Sequence, residues 1–183
     1  MKNNFYLIFA FVALIVTSCK NNQEKSNQSE VSKAVTKENF SVDLEVVAPK
    51  ADNFAIYYTE DGTINFTGDK AVWRGVITQP LNSQIVTIDF PKNVVPTHVR
   101  FDLGNNKEQD DIVLSSFKLN YYEKSFQAKG SDFFKYFIPN DSIKTEIDPA
   151  KGTIKFLKNP KTFYVPFYYP QQAILDEVSK ITK

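Results

Sequence analysis

Hydrophobic and polar residues alternate with a period of two through much of the chain after residue 40. Successive side chains of a β-strand point to opposite faces of its sheet, so this period indicates strands with one buried face. Such runs occupy residues 40–46, 54–58, 72–77, 85–90, 99–103 and 112–122. Turn-forming segments such as Glu60-Asp61-Gly62 and Gly104-Asn105-Asn106 separate them. The pattern therefore predicts a series of short antiparallel strands.

The pattern changes after Gly130, where residues 132–138 fit either a short helix or another strand. Residues 148–152 have the composition of a five-residue hairpin loop between two further strands. The aromatic run 162–169 contains Pro166, which favours a sheet edge because proline has no N–H to donate. Only residues 171–181 show helical spacing. We predict a mostly β fold, an antiparallel jelly-roll-like β-sandwich with a short C-terminal α-helix.

The N-terminal segment has the pattern of a targeting signal. Lys2 precedes a twelve-residue apolar run at 5–16, whereas a membrane-spanning helix needs about 20 residues. The run ends in Val16-Thr17-Ser18-Cys19, which resembles the lipobox of bacterial lipoproteins. The resemblance implies cleavage before Cys19 and attachment of acyl chains such as palmitate to that residue, which anchor the protein in a membrane. The alternative is an ordinary secretory signal followed by a chance cysteine.

The segment after Cys19 reads as a tether. Residues 20–39 contain three apolar side chains and cannot bury enough surface to order themselves. A flexible chain of this length has a reach of about 25 Å. We therefore expect a signal peptide at 1–18, a lipidated cysteine with its tether at 19–39, and one β-sandwich domain at 40–183. The residue after Cys19 is Lys20, whereas an aspartate at this position retains many lipoproteins at the inner membrane. The resemblance therefore implies the outer membrane. It leaves open which side of that membrane the domain faces.

Composition excludes several classes of function. The chain has one cysteine, one histidine and a formal net charge of +1, which argues against disulfide frameworks, zinc sites and nucleic-acid binding. Removal of residues 1–18 leaves basic and acidic side chains in equal number. Between residues 151 and 161 four lysines have no accompanying acid. These lysines either lie on solvated strand faces and loops or form a weak basic patch that binds an acidic glycan or lipid headgroup.

One segment carries a second resemblance. Val99-Arg100-Phe101-Asp102-Leu103-Gly104-Asn105, followed by the apolar strand 112–119, is similar to a late strand pair of jelly-roll carbohydrate-binding modules and galactose-binding-like domains. The similarity covers about half of residues 40–183. It implies a jelly-roll sandwich, a glycan or envelope component as ligand, and in some such modules a structural Ca²⁺. It carries no catalytic signature.

The residues offer little for catalysis. His98 is the only imidazole, and no G-x-S-x-G, P-loop, G-x-G-x-x-G or H-E-x-x-H motif is present, so we expect a protein that is not an enzyme. By alternation His98, Arg100 and Asp102 point away from the core, either as a solvated sheet face or as a polar ligand-binding face. Asp110 and Asp111 lie in a polar loop, as surface acids or as candidate ligands of a structural Ca²⁺. No other cofactor is expected.

The aromatic residues are the remaining signal, because sugars present C–H faces that stack on Trp and Tyr rings. The candidates are Trp73 beside Arg74, Tyr57 and Tyr58, and Tyr164, Tyr168 and Tyr169. The alternative for each of these rings is a place in the core. Tyr57 alternates out of phase with its apolar neighbours and is expected to be exposed. Asp141-Ser142-Ile143 also matches the acceptor pattern of periplasmic O-glycosylation, with Ser142 as the modified residue.

These observations lead to one functional expectation and two rivals. The leading expectation is a non-enzymatic envelope lipoprotein whose tethered β-sandwich binds glycan or another envelope component, with Tyr57, Trp73 and Arg100 among the candidate ligand-binding residues. The first rival is a structural or assembly subunit of an envelope protein complex, which predicts an exposed apolar patch at residues 164–169. The second is a small glycan hydrolase, which requires two carboxylates converging in a cleft.

Overall fold

The strands and helices come from a computed structural model, which describes residues 37–76, 78, 81–139, 144–157 and 167–183. All of them belong to one unit, Val35–Lys183. The elements are β1 (Lys37–Val47), β2 (Asp52–Thr59), β3 (Ala71–Val76), β4 (Gln84–Asp89), β5 (His98–Asp102), β6 (Ile112–Tyr122), β7 (Lys124–Lys129), α1 (Phe133–Tyr136), β8 (Phe137–Pro139), β9 (Lys144–Asp148), β10 (Thr153–Leu157), β11 (Phe167–Pro170) and α2 (Gln172–Thr182).

The strands form two antiparallel sheets. Sheet A has the order β4-β1-β6-β10-β9, with β7 also paired to β6, and sheet B has the order β3-β2-β5-β11-β8. Strands that follow each other in the chain often lie in different sheets, as β4, β5 and β6 do. This arrangement confirms the predicted antiparallel β-sandwich with a short C-terminal helix.

The core lies between the inner faces of the two sheets. On β1 the alternate residues Phe40, Val42, Leu44 and Val46 are all buried, as their period of two requires. Phe117 of sheet A packs with ring centroids 6.1 Å from Phe101 and 5.7 Å from Phe137, both of which lie on sheet B. Aromatic rings therefore join the two layers at the centre of the sandwich.

Three details differ from the sequence-based expectations. Strand β7 was not predicted, because Ala128 is its only buried side chain and the alternation is weak. Residues 132–138 are neither all helix nor all strand, since α1 passes directly into β8. The expected edge position of the C-terminal aromatic run is wrong for β11, which lies between β5 and β8. Pro166 precedes the strand, so the pairing of β11 does not depend on a proline N–H.

The C-terminal helix α2 is the last element of the described domain and packs against it through one face. Ile174, Val178 and Ile181 are buried on one of its faces, as the helical spacing predicted. None of the helices in the described part of the chain combines the length and the apolar character needed to cross a membrane. Strand β1 begins at Lys37, three residues before the predicted start of the domain.

Candidate functional site

The outer face of sheet B collects aromatic side chains from several strands. Tyr57 of β2 lies opposite Arg100 of β5, and Ala55 lies opposite both Trp73 of β3 and Asp102 of β5. Tyr168 of β11 is paired with the core residue Phe101, so its two neighbours project to the outer side. We call this surface the aromatic face; its members are Tyr57, Trp73, Phe167 and Tyr169, together with Phe66, whose ring centroid lies 5.9 Å from that of Tyr169.

Trp73 is the exposed end of the aromatic face. It lies on β3, the edge strand of sheet B, and 46% of its surface is accessible to solvent. The Trp73 and Tyr57 ring centroids are 6.3 Å apart with an interplanar angle of 72°, which is an edge-to-face contact. The indole therefore packs against Tyr57 while nearly half of the residue surface stays accessible to solvent. The sequence-predicted pair Tyr57 and Trp73 therefore shares one surface.

Arg100 occupies the middle of the aromatic face. Its guanidinium carbon lies 4.0 Å from the centroid of the Tyr57 ring and 4.9 Å from that of Phe167, on the two strands that flank β5. Nε and Nη2 donate to Oδ1 and Oδ2 of Asp102, each over 2.8 Å. The bidentate ion pair and the ring contacts together hold the guanidinium against the sheet.

This ion pair is largely removed from water, with exposed side-chain fractions of 14% for Arg100 and 5% for Asp102. Burial acts to lower the pKa of Arg100, but the hydrogen bond and charge of Asp102 outweigh it and raise that pKa. Burial also raises the pKa of Asp102, and Arg100 offsets only part of that effect. The pair is thus a neutral unit packed beneath the rings, in contrast to a freely solvated sheet face.

The other predicted site residues lie apart from this centre. His98 is partly buried at the far end of β5, and its Nδ1 lies 3.1 Å from Thr97 Oγ1. Burial lowers the pKa of His98, and Asp61 opposes this. Arg74 points away from its neighbour Trp73: its Nε donates to the Thr87 carbonyl over 2.8 Å and its Nη2 lies 3.5 Å from Asp89. Arg74 therefore ties the edge strands β3 and β4 together.

A depression of about 680 Å³, lined by both apolar and polar residues, opens at the end of the aromatic face. Its lining residues are Ala51, Asp52, Asn53, Gly75, Val76, Thr78, Asn105 and Asn106. Gly75 and Asn53 are opposite each other in the ladder between β3 and β2. Gly75 follows Trp73 by two residues and faces the same side. We call this the Gly75 depression.

Asp52 fixes one wall of the Gly75 depression. Its Oδ1 accepts hydrogen bonds from the backbone N–H groups of Asn53, Asn105 and Asn106, at 2.8, 2.8 and 2.9 Å. Its Oδ2 accepts from Gln109 Nε2 over 3.1 Å. Gly104 has a φ of +103°, and a Cβ there would lie 2.9 Å from Asp52 Cγ, so the loop requires glycine. Sequence reasoning missed this cluster, whose only local signal is Gly104-Asn105-Asn106.

The candidate calcium residues each face a lysine. Asp110 Oδ2 lies 3.3 Å from Lys50 Nζ, and Asp111 Oδ2 lies 2.9 Å from Lys155 Nζ. Across the described ranges, His, Cys, Asp and Glu form no group of three or more that would hold a metal ion. Calcium binding stays a prediction. Lys155 and Lys151 are both paired with acids, the latter with Asp148, so these two lysines do not form an uncompensated basic patch.

The remaining candidates are in the core or outside the described residues. Tyr168 is fully buried, so the expectation that it contributes to a binding platform is wrong. Burial raises the pKa of Tyr168, and its hydroxyl has no hydrogen-bond partner among the described residues. Tyr58 is also buried. Five candidates lie outside the described residues: Cys19, Ser142, Lys158, Lys161 and Tyr164.

Comparison with known proteins adds no identification: no protein-family model, curated protein or solved structure matches the chain. The fold and the site define it as an antiparallel β-sandwich whose second sheet carries an outward aromatic face.

Proposed function

We propose that the domain is a non-enzymatic glycan-binding module of an envelope lipoprotein, and that the aromatic face binds the glycan. The observation that carries the proposal is the exposed indole of Trp73, held edge-to-face by Tyr57 on the outer side of a sheet. A tryptophan that packs on a neighbouring ring and is also open to solvent is suited to stack on the C–H face of a sugar ring. Beside it, the Gly75 depression supplies amide groups for sugar hydroxyls.

Trp73→Ala is expected to weaken binding of the full-length chain to its polysaccharide at least tenfold, or by about 1.4 kcal/mol, because the stacking surface is removed. The measurement is retardation in gels containing hydroxyethylcellulose, xylan, laminarin or mannan. Tyr122→Asn is the matched control, since Tyr122 is exposed to 52% on sheet A, outside the aromatic face. Unchanged retardation of Trp73→Ala in a gel that retards the wild type would contradict the proposed role of this face.

The proposal includes a membrane anchor at Cys19, based on the lipobox resemblance at 16–19. Cys19→Ser is expected to abolish acylation, because the thiol that receives the lipid is absent. The measurement is incorporation of labelled palmitate in a bacterial host, combined with fractionation of the envelope. Ser18→Ala keeps a small residue before the cysteine and serves as the control. Equal labelling of wild type and Cys19→Ser would remove the lipoprotein assignment and leave the binding proposal intact.

A second candidate function is a structural or assembly subunit of an envelope complex. It is favoured by Ile138 on the edge strand β8, which is 52% exposed and directly opposite Tyr169 in the ladder. An exposed apolar residue on an edge strand suits protein docking. Crosslinking of the full-length chain in cells distinguishes the two proposals. A specific crosslinked partner that is lost in Ile138→Lys, but kept in Trp73→Ala, would favour this candidate.

A further inference from the structure

Gly75 is the next-to-last residue of edge strand β3, Ala71–Val76. Glycine weakens a strand relative to alanine, because its unfolded state is more flexible and it has no side chain to pack. Glycine within a strand is often found where another group approaches the backbone closely. A specific reason for its presence is therefore needed.

The fold itself does not require glycine here. Gly75 is absent from the positive-φ residues of the described chain, where the glycines are Gly62, Gly104 and Gly152. A Cβ at Gly75 would meet only Asn53 Oδ1, at an ordinary van der Waals distance of 3.8 Å. The Cβ of an alanine would therefore fit without strain. What glycine provides is the open floor of the Gly75 depression.

Hydrogen-bonding groups surround this floor. Asn53 and Asn105 are both exposed, and no described residue forms a hydrogen bond with either side-chain amide. Their backbone N–H groups bind Asp52, which fixes the positions of both residues. An amide offers two donors and one acceptor group, so the pair matches a ligand that both donates and accepts, as a hydroxyl does.

The charges near the depression disfavour an anionic ligand. The four donors that bind the Asp52 carboxylate are neutral amides, so its negative charge has no cationic contact among these hydrogen bonds. Arg100, on the adjoining aromatic face, is already neutralised by Asp102, and Lys50 Nζ lies 3.3 Å from the carboxylate of Asp110. An acidic polymer would meet this carboxylate with like charge. A neutral, hydroxyl-rich ligand meets no such penalty.

We infer that the site binds a neutral polysaccharide chain, with one sugar stacked on Trp73 and a neighbouring sugar seated over Gly75. This inference rests on the proposed function and names its ligand class and second subsite. Residues 73 and 75 lie on the same side of the strand, about 7 Å apart by strand geometry. The hydroxyls of the second sugar are bound by Asn53 and Asn105, and glycine at position 75 lets its ring approach the backbone.

The test places a side chain on the floor of the depression. Gly75→Val in the full-length chain is expected to reduce retardation by the bound neutral polysaccharide at least tenfold, with a melting temperature equal to or above that of the wild type. Gly68→Val is the matched control, because a Cβ at Gly68 meets nothing within 4 Å. Asn53→Ala is a second variant that removes an amide without adding bulk. Gels containing alginate or polygalacturonate serve as acidic probes and are expected not to retard the wild type.

Each outcome separates this inference from the proposed function. Wild-type retardation of Gly75→Val and Asn53→Ala, together with a loss in Trp73→Ala, overturns the second subsite and leaves glycan binding by the aromatic face. Retardation by an acidic polysaccharide alone overturns the neutral ligand class. Absence of retardation by every polysaccharide overturns the proposed function, and the second subsite with it.

Discussion

Gly130→Ala is expected to destabilise the domain by about 3 kcal/mol or more, although it adds a single methyl group. A Cβ at Gly130 would overlap the backbone oxygen of Leu114, and it would lie 2.8 Å from the Leu114 carbonyl carbon and 3.1 Å from the Ile154 nitrogen. Leu114 and Ile154 are partners in the ladder between β6 and β10. The methyl group can be accommodated only if paired backbone in the interior of sheet A moves.

This prediction is checked by urea denaturation of the full-length chain, which gives the free energy of unfolding by linear extrapolation. Gly68→Ala is the matched control, because its Cβ meets no atom within 4 Å and its φ is not positive. The control is expected to leave stability unchanged or to raise it by about 0.4–1 kcal/mol. If Gly130→Ala were as stable as this control, the close approach between Gly130 and Leu114 would be refuted.

The contrast between these two glycines shows what the sequence can predict and what it cannot. Gly130 is visible in the sequence as the point where the strand pattern changes. Its contact with Leu114 depends on how β6 pairs with β10. In that ladder Leu114 pairs with Ile154, which lies about 40 residues later in the chain. Strand positions are predictable because alternation is a local property. Contacts between strands depend on register, which is set by the whole fold.

The same distinction applies to the candidate site. Tyr57 was expected to be exposed because it alternates out of phase with buried neighbours. It does lie on the outer face, but Trp73 and Arg100 pack against its ring and it is only partly exposed. Arg74 was grouped with Trp73 because the two are adjacent, yet adjacent residues of a strand point to opposite sides. The Gly75 depression could not be predicted, because Asp52 is bonded to a loop more than 50 residues away.

The second large effect is expected at the ion pair beneath the aromatic face. Asp102→Ala should destabilise the domain by about 3 kcal/mol, because it leaves the guanidinium of Arg100 buried without its carboxylate. The penalty arises from the orphaned charge more than from the lost attraction. Removal of both charges in Arg100→Met/Asp102→Ala is therefore expected to recover part of the stability lost in Asp102→Ala.

A double-mutant cycle in urea measures this coupling, with Arg100→Met as the fourth member. Lys180→Ala provides the comparison with a surface pair, since Lys180 Nζ lies 2.7 Å from Glu177 but its side chain is 66% exposed. That variant is expected to change stability by less than about 1 kcal/mol. Additive losses in the double variant would show that the buried pair is not energetically coupled.

The cycle also links stability to the binding surface. Trp73 is the only tryptophan, and its ring packs on Tyr57, which in turn contacts the Arg100 guanidinium. An orphaned guanidinium in Asp102→Ala would reposition relative to Tyr57, and the emission of Trp73 is expected to shift while the protein is still folded. Lys180→Ala should leave the emission unchanged. A shift confined to the variants at 100 and 102 would mean that the buried ion pair positions the ring on which a sugar is proposed to stack.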